Sequence, residues 1–182
     1  ARTKHDNQYY KLAVEIAQKL SEAGFGTISG GGPGIMEAAN KGASIAGGKS
    51  VGLNIELPFE QSSNPYIDPD CRGDWDDLCV RKVMFTKYSQ GFIMMPGGWG
   101  TMDEFFEVAT LIQTHKFTQT PLVCVGSEYW NGLFHWMKTV MMEAEENISA
   151  GDLELVKIYD TADEVVNFIQ DYYRQNKLKP NF

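Results

Sequence analysis

Pro96-Gly97-Gly98-Trp99-Gly100-Thr101-Met102-Asp103-Glu104 decides the fold of this 182-residue chain. The apolar run Phe92-Ile93-Met94-Met95 precedes it, and Phe105, Val108, Ala109 and Ile112 follow it at helical spacing. A buried strand therefore ends in a glycine turn that opens a helix. Backbone N–H groups at a helix start have no partners within the helix and favour an anion. The glycines let a phosphate approach the backbone, Thr101 adds a hydroxyl, and Glu104 adds a carboxylate one turn later. A phosphate cradle beside a carboxylate points to an enzyme acting on a phosphorylated small molecule.

A second glycine turn, Gly30-Gly31-Gly32-Pro33-Gly34, follows a strand expected at residues 25–29 and leads into a helix, with Pro33 suited to its first turn. Around the two turns, strand-like and helix-like segments alternate. Tyr9, Leu12, Ala13, Ile16, Ala17 and Leu20 form one helical stripe, with Asp6 or Asn7 as its cap. Gly47-Gly48 stops the helix after the second turn. Further strands are expected at 50–55, 91–95, 122–125 and 155–159. Helices are expected at 74–89, from the first glycine turn to about residue 116, and at 129–146. Thr161-Ala162-Asp163-Glu164 is a capping box opening a last helix with Val165, Phe168, Ile169 and Tyr172 on one stripe. This alternation predicts a single α/β domain with a Rossmann-like, doubly wound parallel sheet over residues 1–176, and a tail at 177–182. The chain opens on a helix, so the first strand of such a sheet is expected upstream of Ala1. Residues 56–73 read as a long irregular loop of the kind that often carries function.

Composition bounds the partners. Hydrophobic residues make up 43% and charged residues 22%, the balance of a soluble globular chain. The formal net charge of −8 argues against nucleic-acid or anionic-membrane partners, which need a basic surface. Cys71, Cys79 and Cys124 form neither a disulfide framework nor a zinc motif, which suits a reducing, cytoplasmic compartment. Cys124, within Leu122-Val123-Cys124-Val125, reads as a core thiol. No apolar run approaches a membrane span. His5, His115 and His135 have no triad or metal spacing, so no metal is expected. Trp130, Phe134, Met137 and Met141 lie at helical spacing and, with Met142, read as core or subunit interface.

Two familiar nucleotide signatures fit poorly. Ile35 occupies the third glycine position of a dinucleotide fingerprint, although Glu56 could serve as its ribose-binding acid. The segment from Gly42 to Gly48-Lys49-Ser50 nearly spells a phosphate loop. It has one residue too many and runs from helix to strand, the reverse of the required context. Ser29 lacks the setting of a strained nucleophile. Asp103 reads as complementing the helix dipole, whereas Glu104 can face the ligand of the Gly-Thr turn. Arg81-Lys82 lies among the apolar residues Val80, Val83, Met84 and Phe85. Partial burial there would demand an anion or carboxylate partner for Arg81.

These residues resemble the LOG (LONELY GUY) family of phosphoribohydrolases, often labelled possible lysine decarboxylases. The resemblance covers nearly the whole chain. It rests on Gly30-Gly31-Gly32-Pro33-Gly34-Ile35-Met36, on Arg81-Lys82, and on residues 96–104, which match the family's Pro-Gly-Gly-x-Gly-Thr-x-x-Glu pattern in full. The resemblance implies a Rossmann-like fold and a homodimer or larger assembly. It implies hydrolysis of the N-glycosidic bond of a nucleoside 5′-monophosphate to free base and ribose 5-phosphate. It casts Arg81 and Glu104 as the catalytic pair. Gly97, Gly98, Gly100 and Thr101 then hold the phosphate, with Gly31, Gly32 and Gly34 completing the phosphate and ribose site. No cofactor is implied.

The residue types suit that chemistry. Cleaving a ribosyl C–N bond builds positive charge on the sugar, as in glycoside cleavage. Glu104 can stabilise that charge and deprotonate water. Arg81 can orient Glu104 or polarise the ribose or departing base, and the phosphate anchor fixes the ribose. Cys79-Val80 stands where plant-type members carry His-Glu, and Trp99 replaces a frequent Tyr. These departures bear on the base, so AMP and N6-prenylated AMP, the cytokinin precursor type, are both compatible. The rival readings are a non-catalytic carrier of a phosphorylated cofactor such as molybdenum cofactor, and an NAD(P)-binding oxidoreductase. Lysine decarboxylation is not expected, because no lysine has an evident pyridoxal-phosphate context.

Overall fold

The structure, a computed structural model, describes residues 1–55, 63–75, 77–117 and 120–177. Glu56 and the expected tail from residue 178 onward lie outside the described residues. The chain divides into two units, Ala1–Ser89 and Gln90–Phe182.

In the first unit, α1 (Gln8–Glu22) starts where the Asn7 side chain accepts a 2.8 Å hydrogen bond from the Tyr9 N–H. It buries Tyr10, Ala13, Ile16, Ala17 and Leu20 against α2 (Ile35–Ile45). The expected stripe is shifted at its first member, for Tyr10 and not Tyr9 is buried. Gly47, in the left-handed region at φ 67°, ends α2, and the Gly48 N–H returns to the Ala43 carbonyl at 2.9 Å. Three strands, β1 (Thr27–Ser29), β2 (Ser50–Ile55) and β3 (Arg72–Trp75), form a parallel sheet in that order. Thr27 lies opposite Ser50, and Gly52 opposite Arg72.

β3 corrects the sequence reading, which placed a loop and then the start of a helix there. Its residues carry no run of β-branched side chains. Polar pairing supports them instead: the Asn54 amide donates to Asp74 at 3.1 Å, and Arg72 Nε donates to both Asp74 oxygens. The helix α3 (Leu78–Tyr88) begins only afterwards, capped by the Asp77 side chain on the Cys79 N–H. Pro33 also differs from expectation. It precedes the helix, because Gly34 takes the N-cap position at φ 71°.

In the second unit, β4 (Phe92–Met94), β5 (Leu122–Val125) and β6 (Val156–Tyr159) pair in parallel in that order. All four residues of β5 are buried, which explains its uninterrupted apolar sequence. Around them stand α4 (Trp99–Gln113), α5 (Ser127–Trp136), α6 (Ala150–Glu154) and α7 (Ala162–Gln175). α5 runs on as a wider π-helical segment, Met137–Ala144. The short α6 was not expected. Phe105, Val108, Ile112, Cys124, Trp130 and Met137 form the core, with Phe134 and Met141 packed against it. The Trp-Met spacing therefore marks core. The capping box opening α7 is formed as expected. Glu164 accepts from the Thr161 N–H at 3.0 Å, and Thr161 Oγ1 accepts from the Glu164 N–H at 3.3 Å.

Parallel strands alternating with helices make both units α/β, as the sequence predicts.

Candidate functional site

Each unit presents one of the two glycine turns after a strand. In the first, residues 30–34 connect β1 to α2. Buried polar side chains hold this turn from behind. Ser29 Oγ accepts from the Gly31 N–H at 3.0 Å and donates to Asn40 Oδ1 at 2.5 Å. Asn40, on α2, is fully buried and donates to Ser50 Oγ at 2.9 Å and to the Val51 carbonyl at 3.1 Å. The Asn64 amide donates to the Gly31 and Gly32 carbonyls, at 3.0 and 3.1 Å, and to Asn40 Oδ1 at 2.9 Å. The Asn64 N–H adds a 2.8 Å bond to the Gly31 carbonyl. Gly31 must be glycine: φ is 73°, and a Cβ there would overlap the Asn54 side-chain oxygen. Ser29 is thus a structural hydroxyl.

Arg81 belongs to this turn. It is half-buried on α3, with its guanidinium carbon 5.8 Å from the Phe85 ring centre. Its Nη1 lies 3.7 Å from where a Gly30 Cβ would stand. Val80 and Val83 beside it are exposed, so it is the turn and Phe85, and not those valines, that shelter the guanidinium. Lys82 is half-buried as well.

In the second unit, residues 96–98 connect β4 to α4, and α4 begins at Trp99. Gly100 and Thr101 lie inside the first turn, and the first turn contains no acid. Asp103 therefore sits past the positions where a carboxylate best complements the dipole. The Met102 N–H makes a 3.1 Å bond to the Gly98 carbonyl. The N–H groups of Trp99, Gly100 and Thr101 precede it and are the donors that an α-helix leaves for a ligand. Gly97, Gly98 and Gly100 are exposed, and Trp99 is 92% exposed. A Cβ on Gly97 would lie 2.8 Å from Thr101 Cβ, so Thr101 closes one side of the turn. Glu104 is half-buried on α4, one helical turn beyond Thr101, while Asp103 is exposed.

The outer face of α4 borders an open groove of about 720 Å³ lined by Trp99, Met102, Asp103, Phe106, Glu107 and neighbouring residues. The first-unit network through Asn40 and Asn64, and a hydrogen bond from the Tyr129 hydroxyl to the Gly97 carbonyl, had no sequence signal. Asn64 follows a polar stretch, Asn40 reads as an exposed helix position, and Tyr129 is separated from its partner by 32 positions. His5 pairs with Glu37 at 3.0 Å. Among the described residues, no group of three or more His, Cys, Asp or Glu side chains could hold a metal. No described helix is long and apolar enough to cross a membrane.

The fold and the two turns define a parallel α/β protein of the Rossmann type. Residues 36–169 match the family model described as "Possible lysine decarboxylase", and the chain belongs to that family, the LOG family of the sequence resemblance. It is similar to the rice (Oryza sativa subsp. japonica) protein named probable cytokinin riboside 5′-monophosphate phosphoribohydrolase LOGL5. That match has 33% identity over 108 residues, 58% of this chain and 43% of the rice protein. It is similar over more of its length to Arabidopsis thaliana cytokinin riboside 5′-monophosphate phosphoribohydrolase LOG3, at 25% identity, 91% of this chain and 76% of that protein. In fold it is similar to the molybdenum cofactor binding protein from Rippkaea orientalis. The TM-score is 0.68 at 19% identity, covering 94% of this chain and 90% of the other.

Proposed function

We propose that this protein is a phosphoribohydrolase that cleaves the N-glycosidic bond of a nucleoside 5′-monophosphate, of the AMP or N6-prenyl-AMP type. The observation that carries the reading is the start of α4: exposed glycines and Thr101, no acid in the first turn, and half-buried Glu104 one turn on. An anion bound at this start meets N–H donors and a positive helix end, with no carboxylate competing in the first turn. The names of the curated relatives, phosphoribohydrolases acting on cytokinin riboside 5′-monophosphate, support the same chemistry.

In this reading, Gly97, Gly98, Gly100 and Thr101 anchor the 5′-phosphate, while Gly31, Gly32 and Gly34 are buried and act by shaping the first unit's turn. The C1′–N bond breaks with its electron pair leaving on the base, which takes up a proton. The oxygen of water bonds to C1′, and Glu104 accepts the proton that water gives up. The Glu104 carboxylate also stabilises the positive charge on the ribose as the bond lengthens. Arg81 polarises the ribose or the departing base. The chain acts in the cytoplasm as a homodimer or larger assembly, and the exposed apolar side chains of α4, Trp99 and Phe106, mark the face a second copy covers.

The test is base release by Glu104→Gln compared with the unaltered protein, across AMP, the other common nucleoside monophosphates and N6-isopentenyl-AMP. Loss of release with retained ribose 5-phosphate binding supports the assignment, and the substrate ranking identifies the base. Unimpaired release by the variant overturns the role of Glu104. A carrier of a phosphorylated cofactor is the rival reading, which the similarity to a molybdenum cofactor binding protein keeps in view. Ligand retention without base release favours that rival.

A further inference from the structure

The Tyr129 hydroxyl donates a 2.6 Å hydrogen bond to the Gly97 carbonyl. Tyr129 stands in the first turn of α5, on a different element from the turn it touches. Its ring meets Trp130 edge-on, with centroids 5.2 Å apart. Trp130 is fully buried, and its Nε1 donates to the Val125 carbonyl at 3.1 Å. The phenol is therefore mounted on the core of the second unit.

A trans peptide points its C=O and N–H in opposite directions. The Gly97 carbonyl shares its peptide with the Gly98 N–H. Holding that oxygen toward Tyr129 fixes the Gly98 N–H on the opposite side. Without a tether, a Gly-Gly peptide has wide freedom to rotate. Thr101 closes the Cβ side of Gly97, and both glycines are otherwise exposed. In the first unit Asn64 likewise holds the Gly31 carbonyl, which shares its peptide with the Gly32 N–H.

We propose that Tyr129 is a positioning residue for the phosphate group of the ligand, presetting the Gly97–Gly98 peptide so that its N–H faces the anion. This rests on reading residues 97–101 as a phosphate anchor, and it is independent of whether the bound ligand is then cleaved. Tyr129 touches no reacting atom, so its loss raises the concentration of ligand required and leaves the chemical step in place.

Tyr129→Phe removes the hydroxyl and keeps the ring against Trp130. Binding of ribose 5-phosphate and of ribose is measured by calorimetry on the full chain, with the melting temperature of each sample. KM and kcat for AMP are measured on the same proteins. The expected result is a ribose 5-phosphate Kd raised about fivefold, the scale of one neutral hydrogen bond, with KM following it and kcat changed less than twofold. Phosphate-induced movement of the Gly98 amide resonance in the unaltered protein, weakened in the variant, is the second expected readout. A purely structural hydroxyl would lower the melting temperature and leave affinity unchanged, and that outcome overturns the proposal. Failure of the unaltered protein to bind ribose 5-phosphate overturns it too. Binding of ribose 5-phosphate without base release from AMP would refute the hydrolase reading alone, and the Kd comparison would still decide the role of Tyr129.

Discussion

Replacing Asn40 with alanine tests whether the glycine turn of residues 30–34 is held by the buried amide network. The Asn40 side chain is fully buried and makes four hydrogen bonds: from Ser29 Oγ and the Asn64 amide to Oδ1, and from Nδ2 to Ser50 Oγ and the Val51 carbonyl. A neutral internal hydrogen bond contributes about 1 kcal/mol, and a stranded buried partner costs about 1–3 kcal/mol. Some partners keep a second bond after the change. The Asn64 amide retains the Gly31 and Gly32 carbonyls, and Ser50 Oγ retains the Asn40 carbonyl. Ser29 loses the acceptor of its own proton. The net cost of Asn40→Ala is therefore about 2–4 kcal/mol, below the sum of four stranded groups. Urea unfolding followed by circular dichroism reads it as a lowered midpoint at unchanged slope. Asn40 and Asn64 share a bond, so Asn64→Ala in the same background costs less than it does alone. A loss under about 1 kcal/mol, or strict additivity of the pair, would refute the reasoning.

Other outcomes follow from the same structure. Arg81→Ala loses base release while the protein folds normally, and full activity in a steady-state assay would return Arg81 to a packing role. On the proposed homodimer, Phe106→Glu places a charge at the α4 interface and shifts the mass toward monomer in light scattering; an unchanged mass would move the interface elsewhere. Burial raises the Cys124 thiol well above its ordinary value, whereas Cys79 is exposed. A thiol reagent at neutral pH modifies Cys79 in the native protein and Cys124 only after unfolding. Hydrogen bonds from Asn54 and then Arg72 lower the Asp74 carboxyl below its ordinary 3.8, and bonds from Thr161 and Asp160 lower that of Glu164 below 4.5. Depressed carboxyl values add stability above the unfolded-state values, and that stability fades as the pH falls through the folded ones. Unfolding midpoints therefore drop as the pH falls below about 5. Asp74→Asn together with Glu164→Gln flattens that dependence.

What could be read in the sequence was local. β2 coincides with its expected residues, and the capping box of α7 sits where Thr161 and Glu164 place it, because both features are written in adjacent residues. The glycine turns were legible for the same reason. β3 was not, because Asp74 is stabilised by Asn54 on the neighbouring strand, a pairing invisible along the chain. Asn40 reads as a solvent-facing helix residue until Ser29, Ser50 and Asn64 are brought around it. The glycine turn opens α4 as the sequence predicts, and the chain is helical from Trp99, which leaves the first turn clear of acids.

The most direct test of the central claim is product analysis after incubating the protein with AMP. The account predicts adenine and ribose 5-phosphate in equal amounts, formed by the unaltered protein and lost with Glu104→Gln. Folded protein that binds AMP and leaves it intact, or that yields adenosine and phosphate, would contradict it.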